Sequence, residues 1–169
     1  MAVQTYSDEI IDFKQNVLNT LKHSQVILGL LADNPTIDVD SEEAYAIQDN
    51  NFYDFDYADS TITRSDAFIM VDVDIIAEPS PSIKDLEIYV QVVCHKQFML
   101  LDATKFKGIK GNRKDNLSRQ IDFLLNGSRD YGIGKLNLMD MRTVNVPKPF
   151  TSKLLSYEIP GFLRIRSEK

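Results

Sequence analysis

Two runs, Ala67-Phe-Ile-Met-Val-Asp-Val-Asp-Ile-Ile76 and Ile83-Lys-Asp-Leu-Glu-Ile-Tyr-Val-Gln-Val-Val-Cys-His95, decide the fold class. In the first, Ile69, Val71, Val73 and Ile75 share one face, while Asp72 and Asp74 share the other with Met70 and Ile76. In the second, Leu86, Ile88, Val90, Val92 and Cys94 face inward, and Asp85, Glu87, Tyr89, Gln91 and His95 face outward. A period of two rich in β-branched residues marks a strand with one buried face. Pro79-Ser-Pro81-Ser82 separates the runs, so they are expected to form an antiparallel pair with a short Pro-rich connection.

Upstream the period lengthens. Ile10, Val17 and Leu21, joined by Ile11, Phe13 and Leu18, recur at helical spacing, with Ser7 as a candidate cap and Asp8 and Glu9 in the first turn. A second short helix is expected over Gln25–Ala32, ended by Asp33-Asn34-Pro35. The next stretch reads as a loop with one helical turn at Ser41–Ile47, and it carries Tyr45, Phe52, Tyr53, Phe55 and Tyr57. Disordered segments are poor in such residues, so plain disorder is a weak reading here.

Downstream, Lys105-Phe-Lys-Gly-Ile-Lys-Gly-Asn-Arg-Lys114 reads as a loop with five bases in ten residues. Asn112 is placed to cap a helix with the stripe Leu117, Ile121, Leu124 and Leu125, stopped at Asn126-Gly127. Further strands are expected over Lys135–Val146 and Ser152–Ile159, with Pro160-Gly161 interrupting the latter before a short Phe162–Ile165 tail. This order predicts an α+β fold: a mostly antiparallel four-stranded sheet with the N-terminal and central helices packed on one face. A single domain over residues 1–169 is expected, with an acidic, aromatic-rich insertion at about 33–66.

At 169 residues, 43% hydrophobic and 26% charged, the composition is that of a globular chain rather than a collagen-like or disulfide-stapled one. No apolar run approaches the length of a membrane span, no secretory signal is visible at Met1-Ala-Val-Gln-Thr5, and the single cysteine, Cys94, excludes an internal disulfide. The net charge of −6 is unevenly spread. Nine acids and no bases lie between Asp33 and Asp59, which leaves 16 acids against 19 bases elsewhere. An acidic balance disfavours non-specific nucleic-acid binding as a main role, since phosphate contacts need concentrated Lys and Arg.

Few motifs carry chemistry. Asp72 and Asp74 lie on one side of a strand about 6.5–7 Å apart at the backbone, a spacing that can serve Mg²⁺ or Mn²⁺, yet alternation alone puts polar residues there. Cys94 and His95 are strand neighbours on opposite faces and form no dyad, and His23 is isolated at a helix end. One cysteine and two histidines fall short of a zinc site. The glycines at 108 and 111 do not fit the Gly-x4-Gly-Lys-Ser/Thr phosphate loop. No cofactor and no catalytic constellation is expected. The basic loop, with Lys107, Lys110, Arg113 and Lys114, instead fits an acidic surface such as Asp38, Asp40, Glu42 and Glu43 of a neighbouring copy. Patches that meet head-to-tail in this way generate rings when the rotation closes.

The element order, together with Ile88-Tyr-Val-Gln-Val-Val-Cys-His-Lys96, Gly111-Asn-Arg-Lys-Asp-Asn-Leu-Ser-Arg-Gln-Ile121, Leu125-Asn-Gly-Ser-Arg-Asp-Tyr-Gly-Ile-Gly134 and the last hairpin, resembles the tail-terminator or tail-completion proteins of tailed bacteriophages. The resemblance covers most of the chain and rests on architecture. It implies a non-enzymatic virion subunit that forms a ring, commonly a hexamer, ending the tail or joining it to the head connector. Its implied partners are itself, head-closure or connector proteins and tail-tube subunits, with genomic DNA only as passing cargo and no membrane. Its implied place is the virion neck or tail, reached from the host cytoplasm during assembly. In that setting Asp72, Asp74, Asp85 and Glu87 are expected to face a channel and repel phosphate. Two other classes stay open on the residues alone: a metal-dependent nuclease or phosphotransferase using Asp72 and Asp74, and a small non-enzymatic adaptor.

Overall fold

A computed structural model of the protein, described over residues 6–55, 63–80, 83–131 and 134–163, turns the two period-two runs into the long central strands of one sheet. In chain order the elements are α1 (Tyr6–Lys22), α2 (Gln25–Ala32), α3 (Glu42–Asn50), β1 (Phe52–Tyr53), β2 (Ala67–Ser80), β3 (Ile83–His95), α4 (Arg113–Leu125), β4 (Asn137–Arg142) and β5 (Phe150–Leu163). The sheet has five strands in the order β1-β2-β3-β5-β4. All neighbours are antiparallel except β1 and β2. The α+β class with helices on one face therefore holds, but the sheet is five-stranded and mixed rather than four-stranded.

The extra strand comes out of the acidic segment. Phe52 pairs with Ile69 and Tyr53 with Met70, both in parallel, and the Ile69 amide donates to the Asn51 carbonyl at 2.8 Å. The Asn51 side chain donates to the Ala67 carbonyl at 2.7 Å and to Asp66 at 3.0 Å, so one buried amide fixes two distant pieces of chain together. Arg64 adds a fork to both Asp66 oxygens and donates to the Tyr53 hydroxyl. Two strand residues held by side chains far along the chain leave no period for sequence patterning to detect.

The single turn expected at Ser41–Ile47 is a full helix, α3, capped where the Ser41 hydroxyl accepts from the Ala44 amide at 3.1 Å. Ile37, Ala44 and Phe52 join the main core, so the segment read as an insertion supplies part of the interior. Asp56 and Asp59 lie outside the described residues.

Helix α1 begins at Tyr6, so Ser7 lies within its first turn rather than capping it. Phe13, Val17, Leu18 and Leu21 point into the core, whereas Ile11 turns outward. Helix α2 spans Gln25–Ala32 as expected and buries Ile27 through Leu31. A methyl group on Gly29 would lie 3.0 Å from the Asn34 carbonyl oxygen and 3.1 Å from the Pro35 Cα. Only a residue without a side chain lets the chain fold back so closely after Asp33.

Helices α1 and α4 pack on the inner face of the sheet and α2 packs against α1, α3 and α4, so that Ile69, Val71, Val73, Leu86, Ile88, Val90, Val92, Leu155, Tyr157 and Ile159 lie in one cluster with their apolar stripes. Among the described residues no helix lies on the outer face, and one end of that face is apolar. Phe68, Met70, Val93 and Phe150 form a small second cluster, packed by Tyr53 and Val146. Phe68 meets Tyr53 and Phe150 edge-on at 5.8 and 6.0 Å.

Strand β4 is confined to Asn137–Arg142, shorter than the Lys135–Val146 expected. Strand β5 continues through Pro160-Gly161 to Leu163, where an interruption was expected. Its pairing with β3 shifts between Lys84 and Leu86, and this irregularity lets the ladder run past the proline.

Candidate functional site

Register across the sheet sets the charges of the outer face. Asp74 stands opposite Glu87, and Glu87 stands opposite Glu158, so three adjacent strands present carboxylates in one line. Directly opposed side chains sit about 4.5–5.5 Å apart, and like charges at that distance oppose pairing. Sequence alone does not single out Glu158, because nothing local places it beside residue 87. Period-two alternation marks it only as outward-facing.

The four acids expected to act together are treated unequally by the fold. Asp74 and Glu87 belong to this row. Asp72, one pair further along, faces Tyr89 and takes the Lys14 ammonium at 2.7 Å, while Lys14 also donates to the Asp54 carbonyl at 2.9 Å. Its charge is thereby locally balanced. Asp85 is half-buried, and the pairing shifts on both sides of it, between Ile75 and Ala77 toward β2 and between Lys84 and Leu86 toward β5. These breaks separate it from the regular row. The Tyr89 hydroxyl has its pKa pushed up to about 12 by burial, reinforced by Glu87 and the nearby Asp74 charge, so it stays a neutral phenol beside the acids. Phe55, Met70, Asp72, Tyr89, Gln91 and Leu154 line a shallow pocket of about 210 Å³ between this row and the apolar end. Among the described residues no group of three or more His, Cys, Asp or Glu is arranged to hold a metal.

The basic loop divides in two. Lys107 and Lys110 are exposed, on a turn where Gly108 and Gly111 have φ of 78° and 88°. Arg113 and Lys114 are not in a loop. They open α4 behind the Asn112 cap, whose side chain accepts from the Asp115 amide at 2.9 Å. Arg113 is 1% exposed. Its guanidinium stacks 3.8 Å from the Phe98 ring centre and donates to the carbonyls of Leu30, Phe98 and Leu100 and to Asp33 at 2.5 Å. Lys114 is also buried and reaches the Thr151 hydroxyl at 2.9 Å. Helical geometry turns these two bases inward, so neither is on the surface that the loop reading expected them to supply.

The acidic segment divides as well. Asp33 closes α2 in the left-handed region at φ 57° and takes Lys105 at 2.5 Å along with Arg113. Burial alone would raise its pKa, but the hydrogen bonds and charges of Lys105 and Arg113 hold it below the usual carboxylate range. The acidic segment and the basic loop thus meet within one chain at this end. Asp38, Asp40, Glu42 and Glu43 remain exposed. Asp38 accepts from the Asp40 amide at 3.1 Å, and Glu42 and Glu43 stand in the first turn of α3, where its dipole favours them.

Cys94 lies in the main core, its thiol pKa pushed up to about 12 by burial, whereas His95 meets Phe150 edge-on at 5.3 Å on the opposite face and accepts from the Gln97 amide at 3.1 Å. The alternation that separates neighbours on a strand keeps the two apart, as expected. His23 rests against the Asn19 carbonyl at 2.7 Å.

No curated protein matches the chain. A family model does, over residues 24–159, from α2 to the ladder of β5. That family is of phage type, which agrees with the phage side of the resemblance at the coarse level only. Because the match runs through well over half of the residues and every strand, the chain belongs to the YomW family.

Proposed function

We propose that this protein is a structural subunit of a phage virion that forms a ring, with six copies as the working stoichiometry, ending the tail or joining it to the head connector. The observation that carries the reading is the line Asp74–Glu87–Glu158 on the outer face of the sheet. Three opposed like charges lower the stability of the sheet that carries them. A role in repelling the phosphates of passing DNA gives a reason to keep them. The phage-type family supports the setting.

Subunits would meet through Lys107 and Lys110 of one copy and Asp38, Asp40, Glu42 and Glu43 of the next, the exposed remainder of the two charged segments. Connector, head-closure and tail-tube proteins are the proposed neighbours in the neck, with assembly in the host cytoplasm. No described helix is long and apolar enough to cross a membrane.

The test is assembly and position. Native mass spectrometry of the purified chain, alone and with the neck proteins encoded beside it, should show a ring that falls apart with salt and with Lys107→Glu/Lys110→Glu. Labelled antibody on purified particles should mark the neck or tail. A chain absent from purified particles defeats the reading. A clear rise in thermal stability with Mg²⁺ or Mn²⁺, lost in Asp74→Asn, would turn it toward the metal-dependent enzyme class.

A further inference from the structure

The outer edge of the sheet, at β4, presents a surface separate from the two charged segments. Strand β4 ends the sheet order, and among the described residues its only strand partner is β5. Exposed large apolar side chains cluster around it: Phe123 is 78% exposed, Met139 60% and Met141 38%. The last turn of α4 runs beside this edge, because the Leu138 amide donates to Asn126 at 3.2 Å and the Tyr157 hydroxyl reaches Asp122 at 3.4 Å. Phe123 is one turn before Asn126 on that helix. Met139 is the residue skipped where the pairing with β5 shifts, and Met141 sits opposite the buried Leu155 on the helix-covered side. On the other side, Asp140 and Arg142 face out opposite Ser156 and Leu154 and bridge each other at 2.5 Å.

We propose that this edge pairs antiparallel with β4 of a second copy about a two-fold axis through Met141, joining two sheets into one of ten strands. In that register Asp140 meets the partner's Arg142 twice, Met141 meets the partner's Met141, and Met139 meets the partner's Thr143. Side chains alternate with period two, so a slip of one residue throws every pair onto opposite faces. A register two residues off in either direction sets Asp140 against the partner's Asp140, or Arg142 against the partner's Arg142. A parallel copy in register sets both like pairs together. One arrangement therefore satisfies the charges, and the same two charges blunt the edge against other strands. Apolar area around a charge-coded edge fits a copy of this chain, because the sequence Asp-Met-Arg is its own complement when reversed.

The contact is isologous and closes on two copies, so it does not depend on the head-to-tail ring. The experiment uses two charge variants of the full chain, Asp140→Arg and Arg142→Asp, each checked for native circular dichroism. Each homotypic pair then opposes like charges across the axis, so sedimentation should show self-association weakened at least about tenfold. Mixed together the two variants are complementary, and a tagged copy of one should retain the other as a one-to-one pair. Met141→Cys should oxidise to a covalent dimer on a non-reducing gel, because facing residues on paired strands lie within disulfide reach while Cys94 is buried. Single variants that associate as well as the parent chain overturn the proposal, as does a mixture that stays monomeric. Loss of the two-fold pair in both variants while the ring stays undiminished supports it and leaves the ring reading standing.

Discussion

Two acid–base pairs in this molecule look alike on paper and differ in nearly everything else. Asp33 and Arg113 are joined at 2.5 Å, as are Asp140 and Arg142. The first pair closes a gap of eighty residues, with an arginine side chain 2% exposed, stacked on Phe98 and shared among three carbonyls. The second links residues two apart on an edge strand, with side chains 59% and 41% exposed. Separation and burial decide what each pair is for. The first holds α2, the 96–101 segment and α4 together. The second contributes little to the monomer and leaves its charge readable from outside.

That contrast can be broken from its strong end first. Arg113→Ala should cost about 3 kcal/mol in urea unfolding, since it removes the stack, orphans three carbonyls and leaves Asp33 without its buried partner. Gly29→Ala comes next, at about 1–3 kcal/mol, because its methyl meets backbone at Asn34 and Pro35 rather than a side chain that can move aside. Acid should read the buried end as well. Asp33, and Asp115 through its hydrogen bond from Lys153 at 2.7 Å, both sit below the ordinary carboxylate range when folded. The stability they contribute is complete above that range and is lost as pH falls through it, from roughly pH 4 downward. Asp33→Asn should flatten that acid slope in pH-dependent thermal melts.

The weak end gives smaller effects of either sign. Glu87→Gln, the middle of the acidic row, should stabilise the fold by about 0.2–1 kcal/mol in low salt and by less in high salt. Arg142→Ala should move monomer stability by no more than about 0.5 kcal/mol while changing the association measured by sedimentation. A large loss of monomer stability from Arg142→Ala would erase the distinction between the two pairs.

The charged loop illustrates how far the sequence could be read. Five bases in ten residues are visible on counting, and Asn112 is recognisable as a cap. The cap also fixes the conformation beyond it: residues after 112 are helical, so Arg113 and Lys114 point in directions set by the helix rather than by solvent. Which direction is inward depends on where α2 and Phe98 lie, and neither is local. The same holds for the acidic row. Asp74 and Glu87 are outward-facing by alternation, but their opposition, and the arrival of Glu158, depend on register. Strand β1 was invisible because two residues have no period, and its anchor is Asn51 reaching Asp66 and Ala67.

By itself the sequence determined the α+β class, the two central strands and their inner faces, the positions of α2 and α4 and the separation of Cys94 from His95. These rest on periodicity and capping, which act over one or two turns of chain. Tertiary structure alone decided that the sheet is mixed, that three carboxylates line up, that two of the basic loop's five bases are interior and that β4 lies at the outer edge. Each of these depends on partners tens of residues away, where burial and register, and not composition, set whether a charge is a clamp or a surface.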